Sequence, residues 1–134
     1  MFELDKYQTD THTFSLVLPT GEIREDVKIT VRGDNHPIVK EVSRNLFLES
    51  QQRAAMNKKR GRKDSDPATE DDLDYLEEAG LKRVVSRVES MKGVTEGGKE
   101  VGGDKELIGE VLKKYDWILS QVMEESADAV NFCK

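Results

Sequence analysis

The residues able to do chemistry are few in this chain of 134 and lie far apart. Its two histidines, His12 and His36, have no cysteine near them in sequence. A structural zinc site takes four Cys or His ligands at set spacing, so no metal site is expected. The single cysteine, Cys133, stands next to last with no histidine beside it, which argues against a base-activated nucleophile. No serine occupies a GxSxG setting. Asp71, Asp72 and Asp74 crowd a predicted helix start, where the helix dipole favours acids without any catalytic role. No carboxylate pair falls inside an apolar stripe, the setting that raises a carboxyl pKa for acid–base work. The stretch Gly93–Gly103 holds five glycines in eleven residues but lacks the GxxxxGK(S/T) order of a phosphate-binding loop. The expectation is therefore a protein that is not an enzyme.

Charge is the loudest remaining signal. Lys58–Lys63 carries five positive charges in six residues. Such a run can hold phosphates by counterion release. Equally, it suits the C-terminal end of a helix and a solvated linker. The fifteen residues 64–78 that follow hold eight acids and no base, so a nucleic-acid phosphate would meet repulsion at close range. Net charge of -6 and a pI near 5.0 point the same way. Nucleic acid is thus an unfavoured partner and intramolecular pairing the favoured one.

Composition bounds the rest. The chain is 36% hydrophobic and 36% charged, against ~25% charged in ordinary domains. Eight aromatic residues suffice for a modest core in one domain. No apolar run approaches the ~18 residues of a membrane span, and no membrane partner is expected. The start MFELDKYQTD is acidic and polar, unlike a secretory signal. With one cysteine unable to form an internal disulfide, a reducing cytosol is the expected setting.

The elements that would position these groups follow from periodicity. His12–Leu18 and Val27–Arg32 alternate apolar and polar residues about Pro19-Thr20-Gly21-Glu22, which reads as an antiparallel hairpin. After Gly33 the period changes to that of helices. Pro37 opens a first helix, with Asp34 or Asn35 as cap, running to about Lys59 with Ile38, Val42 and Leu46 inward. Val39, Phe47, Ala54, Ala55 and Met56 widen that face. Thr69 and Asp72 form a capping box for a second helix to Met91, striped by Leu73, Leu76, Leu81, Val84, Val85, Val88 and Met91. Gly80 interrupts it at a cost of ~1 kcal/mol relative to Ala. The glycine stretch reads as a loop with room for a small hairpin at Gly97-Gly98. Asp104 caps a third helix to Lys114, with Leu107, Ile108, Val111 and Leu112 inward. Asp116 caps a fourth, Trp117 to about Val130.

The expected fold is α+β: one domain, with an N-terminal β-hairpin packed on a mainly helical body of about four helices. Its parts are a hairpin region at 1–33, a helix at 34–57, a charged linker at 58–68, and a helical region at 69–134 with a Gly-rich loop at 93–103. The apolar face of the fourth helix, Ile118, Leu119, Val122, Met123, Ala127 and Val130, is wider than the ~100° stripe a small domain buries. Surplus apolar surface suggests self-association or a partner segment. Trp117 is either a core anchor or a partner contact. The candidate partner-binding residues are Trp117, Ile118, Val122, Met123, Ala127, Val130, Asn131 and Phe132. Ile118 and Val122 are expected inward; Met123, Ala127 and Phe132 are expected toward a partner.

Residues 81–132 carry a resemblance. A Val-rich segment, LKRVVSRVESMKGVTEGGKEV, runs through Gly93-Val94 and Gly98-Lys99. A capped helix follows, then Tyr115-Asp116-Trp117-Ile118, Gln121-Val122 and Ala127-Asp128-Ala129-Val130-Asn131-Phe132. This order resembles the tail assembly chaperones of long-tailed bacteriophages. Arg87-Val88-Glu89-Ser90 stands where that family often has a tryptophan, and Asp116 where it often has proline. The resemblance implies a late, non-enzymatic protein of viral tail morphogenesis that binds no cofactor, in the host cell cytoplasm and absent from the mature virion. It implies binding to the tape measure protein, which is kept soluble until tail tube subunits polymerise around it. It also implies contact with the major tail tube protein through a frameshift-extended form. A homo-oligomer is compatible with it. Two other readings stand beside it: a nucleic-acid-binding or regulatory protein using Lys58–Lys63, and a structural connector component of the virion.

Overall fold

The computed structural model describes residues 8–63 and 65–133. Phe2 and Tyr7 of the aromatic set, the first seven residues of the acidic start and Asp64 of the acidic block lie outside them. The fold is α+β, and the expected hairpin is half of a larger sheet. Strands β1 (Thr11–Val17), β2 (Ile23–Arg32), β3 (Val88–Glu96) and β4 (Lys99–Gly102) form an antiparallel sheet in sequence order. Helices α1 (Pro37–Lys59) and α2 (Glu70–Ser86) are inserted between β2 and β3. Helices α3 (Lys105–Lys114) and α4 (Asp116–Ala127) follow β4, and a 3-10 turn closes at Ala129–Phe132.

Alternation in β2 does what period 2 requires. Val27, Ile29 and Val31 turn to one face and are buried. Ile29 pairs with Phe14 on one side and Met91 on the other, giving the inner face a continuous apolar row. The opposite face is polar: the Thr13 and Thr30 hydroxyls meet at 2.8 Å, and Lys28 donates to Ser15 at 2.6 Å. Ile108, Val111 and Leu112 from α3, Ile118 and Val122 from α4, and Val84 from α2 complete the core on the inner face. One packed face and one wet face is the ordinary condition of an antiparallel sheet.

Several expected boundaries move. The second helix stops at Ser86 rather than Met91, and Val88–Glu96 is a strand. Val88 and Met91, three apart, fit a helical stripe, but here they are buried on β3. The competing interaction is a neighbour remote in sequence. β2 offers a free edge, where Met91 pairs with Ile29 and the Arg32 amide donates to the Arg87 carbonyl at 2.6 Å. The glycine stretch is consequently a hairpin, with Gly97 (φ 60°) and Gly98 (φ 79°) at its turn. Two consecutive positive φ angles are what a tight two-residue turn demands.

Helix ends show how local chemistry chooses among candidates. His36, not Asp34 or Asn35, caps α1: its Nδ1 accepts from the Ile38 amide at 3.1 Å. The Thr69–Asp72 capping box forms on α2, and Asp104 caps α3 by accepting from Glu106 and Leu107. Asp116 does not cap α4; it is the first residue of that helix, and Tyr115 takes the cap position without a side-chain bond. Helix α4 ends at Ala127 because Asp128 turns extended and accepts from the Val130 amide, opening the 3-10 turn.

Candidate functional site

Helix α4 was the expected partner surface, and its inner side is core. Ile118 is 5% and Val122 0% exposed, as expected of the inward pair. Phe132 turns inward instead of toward a partner. Its ring lies where a Cβ on Gly33 would fall, 3.1 Å away, and stands edge-on to His12 at 6.2 Å. The absence of a side chain on Gly33 makes that seat. Asn131 holds the turn by donating to the Glu125 backbone and carboxylate at 2.9 and 2.7 Å. Trp117 is half-buried against the core and edge-on to Tyr115 at 6.5 Å. Met123, Ala127 and Val130 remain exposed.

Gln121 has a role its sequence did not announce. Its amide accepts from the Val17 N–H at 3.0 Å and donates to the Val17 carbonyl at 2.7 Å. One side chain thus occupies both outward bonding groups of Val17, at one end of the β1 edge where another strand could add. At the other end of that edge the Thr9 amide donates to the Phe132 carbonyl at 2.8 Å.

The basic run folds against the acidic block. Arg62 ion-pairs with Asp72 and donates to the Pro67 carbonyl at 3.0 Å. Arg53 reaches Asp71 at 2.7 Å and Asp72 at 3.0 Å, and its guanidinium lies 4.6 Å from the Tyr75 ring centre. The Arg62 guanidinium first, then the Thr69 amide and Arg53, hold the Asp72 carboxyl well below the usual carboxylate range. A carboxyl whose folded pKa is depressed adds stability above its unfolded pKa and loses it as pH falls through the folded value. The α1–α2 connection should therefore tighten above pH ~4 and loosen progressively below it. Asp72→Asn should abolish that pH dependence and speed tryptic cleavage after Arg60 and Arg62 at neutral pH. Unchanged cleavage would show that the ion pairs do not hold the connection.

A groove that periodicity did not reveal lies between three helices. Ile38, Val42 and Leu46 of α1 and Leu81 and Val85 of α2 form its apolar wall. Gly109 of α3 faces them, and Lys82, Lys105, Lys113, Glu49, Glu106 and Glu110 rim it, around a volume of about 660 Å³. It exists because α1 packs chiefly on α2, leaving the α3 side of α1 open. Arg32 lies at its base, donating to the Ser86 and Val88 carbonyls at 3.0 and 3.2 Å, with Nε buried and unpartnered. The sequence marked Ile38, Val42 and Leu46 as core; Ile38 and Val42 are in fact only half-buried.

His36 and Cys133, far apart in sequence, border one cavity of about 400 Å³ with Asp10, Asp34 and Ser126. The His36 Nδ1 there is already engaged as the α1 cap. Among the described residues no three His, Cys, Asp or Glu side chains converge on a metal position. No helix among them is long and apolar enough to cross a membrane. Compared with protein-family models, curated proteins and solved structures, the chain matches none.

Proposed function

We propose that this chain is a tail assembly chaperone of a long-tailed bacteriophage. It binds the tape measure protein in the host cytoplasm and keeps it soluble until tail tube subunits assemble around it. It acts without catalysis and leaves before the virion matures, with a frameshift-extended form engaging the tube protein. The sequence elements that carry the resemblance, from Gly93-Val94 to Asn131-Phe132, support this reading.

The observation that carries it furthest is the groove between α1, α2 and α3. An amphipathic helix is held by laying its apolar face into such a groove while charged rims keep the pair in solution. Ile38, Val42, Leu81 and Val85 supply the apolar wall and six charged residues the rim. The client surface we propose is therefore this groove rather than the face of α4, whose Ile118 and Val122 are core.

Co-expression with tape measure fragments tests it. Val42→Glu, at a half-buried position, should abolish capture while circular dichroism stays that of the parent. Met123→Glu on α4 should capture normally. Full capture by a folded Val42→Glu protein would remove the groove from the mechanism. Loss with Met123→Glu alone would return the site to α4. Detection of the chain in purified particles would favour the connector reading. Salt-sensitive retention on nucleic acid would favour the regulatory one.

A further inference from the structure

Strand β1 is the outer strand of the sheet, and its parity is fixed at both ends. The Asp10 carbonyl accepts from Gly33 and the Leu18 amide donates to Glu22, so the even positions bond toward β2. Thr9 bonds to Phe132 and Val17 to Gln121, so the odd positions bond away from β2. By the alternation of an antiparallel ladder, Thr11, Thr13 and Ser15 also turn their N–H and C=O groups outward. Among the described residues the one bond to these groups is long, from the Thr9 hydroxyl to the Thr11 carbonyl at 3.4 Å. Beside this open stretch a pocket of about 360 Å³ lies between β1 and α4. Phe14, Pro19 and Trp117 give it apolar walls and Glu124 and Glu125 its charge, and no lysine or arginine lines it. Glu125 lies 3.4 Å from the His12 Nε2 and accepts from Asn131. Glu124 is exposed and has no cationic partner among the described residues. Lys28 bonds the Ser15 hydroxyl on the opposite, polar face of the sheet.

We propose that the β1 edge binds an extended segment of another protein that carries a lysine or arginine on the side facing α4. A strand laid along Thr11–Ser15 meets the outward groups of three residues, and it ends where Thr9 and Val17 are already satisfied. Its alternate side chains fall on the inner side of the sheet next to Phe14, where the pocket opens. A long basic side chain suits that room. Its methylenes lie against Phe14 and Trp117, and its charged head reaches Glu124 and Glu125. A second copy suits it less well. Two β1 strands joined antiparallel are related by an axis normal to the sheet, which keeps both α4 helices on one face. Glu124 and Glu125 of each copy would then flank one seam, with no lysine or arginine from either pocket between them. The edge and the groove use different elements, so either can fail without the other.

Fluorescence anisotropy on the full chain, with a labelled and end-capped peptide Thr-Val-Thr-Arg-Thr-Val-Thr, tests the proposal. Its threonines fall on the polar face and its arginine on the α4 side. It should bind below about 1 mM, and the same peptide with glutamate for arginine should bind about tenfold more weakly. Amide exchange at Thr11, Thr13 and Ser15 should slow on binding. Glu124→Lys, at an exposed position, should keep the parent's melting temperature and erase the preference between the two peptides. Thr13→Pro removes one outward amide and no ladder bond, and should abolish binding in a protein that still folds. Failure of the arginine peptide to bind overturns the proposal, as does equal binding of the two peptides to the parent. Parent affinity in a folded Thr13→Pro protein overturns it as well. A parent that dimerises while Thr13→Pro stays monomeric would assign the edge to a second copy instead.

Discussion

Val122→Asp should leave no cooperatively folded protein at neutral pH. Val122 is 0% exposed on the inner side of α4, within the cluster that joins the helices to the sheet. The change removes an apolar side chain worth about 2 kcal/mol of burial and places an unpaired carboxylate in its room. A cost of about 4 kcal/mol or more stands against a total of about 5–15 kcal/mol for a domain of this size. Met123, the next residue, is 39% exposed, and Met123→Asp should shift stability by only about 0.5 kcal/mol. Thermal melts of the two variants by circular dichroism make the comparison. A Val122→Asp melt within a few degrees of the parent would mean that α4 is not core.

Gly93→Ala should cost about 3 kcal/mol, large for one methyl group on an exposed residue. Gly93 has φ 85°, a conformation that side chains strain to adopt. It also lies against β2, so a Cβ there would press into the Asp26 carbonyl oxygen and stand 3.3 Å from its carbon. Both atoms are backbone within the sheet, and neither can move without breaking the β2–β3 ladder. Gly97, with φ 60° at the β3–β4 turn, has open space around it, and Gly97→Asn should be tolerated within about 1 kcal/mol. Urea unfolding of both variants gives the difference. Equal stability would mean that β3 runs elsewhere. The Gly93-Val94 pair that contributes to the family resemblance thus has a structural reason in this chain.

Elements whose reasons are local were legible. Pro19 to Glu22 sets the first turn, and period 2 marks the strands beside it. The Thr69–Asp72 box and the Asp104 cap each rest on a bond spanning three residues or fewer. The apolar face of α3 is buried as its spacing requires. Such choices are made within one turn of chain, so the residues present there suffice to make them. Charge pairing across the 58–72 connection was legible for a related reason, since the two blocks are neighbours in sequence. The position of the groove was not, because three helices must meet before it exists.

By itself, then, the amino-acid order determined the α+β class, the N-terminal hairpin, the start and extent of α1, and the caps of α2 and α3. Tertiary structure decided whether Val84 to Met91 would be one helix or a helix and a strand. Spacing satisfied both, and the free edge of β2, some sixty residues earlier, settled it by hydrogen bonding. Tertiary structure also decided which apolar faces are core. Ile118, Val122 and Phe132 are covered, whereas Phe47 and Leu76 are not. An apolar stripe records that burial is favourable; the partner that covers it comes from another part of the chain. That partner's position depends on strand register and helix packing, which no window of neighbouring residues contains.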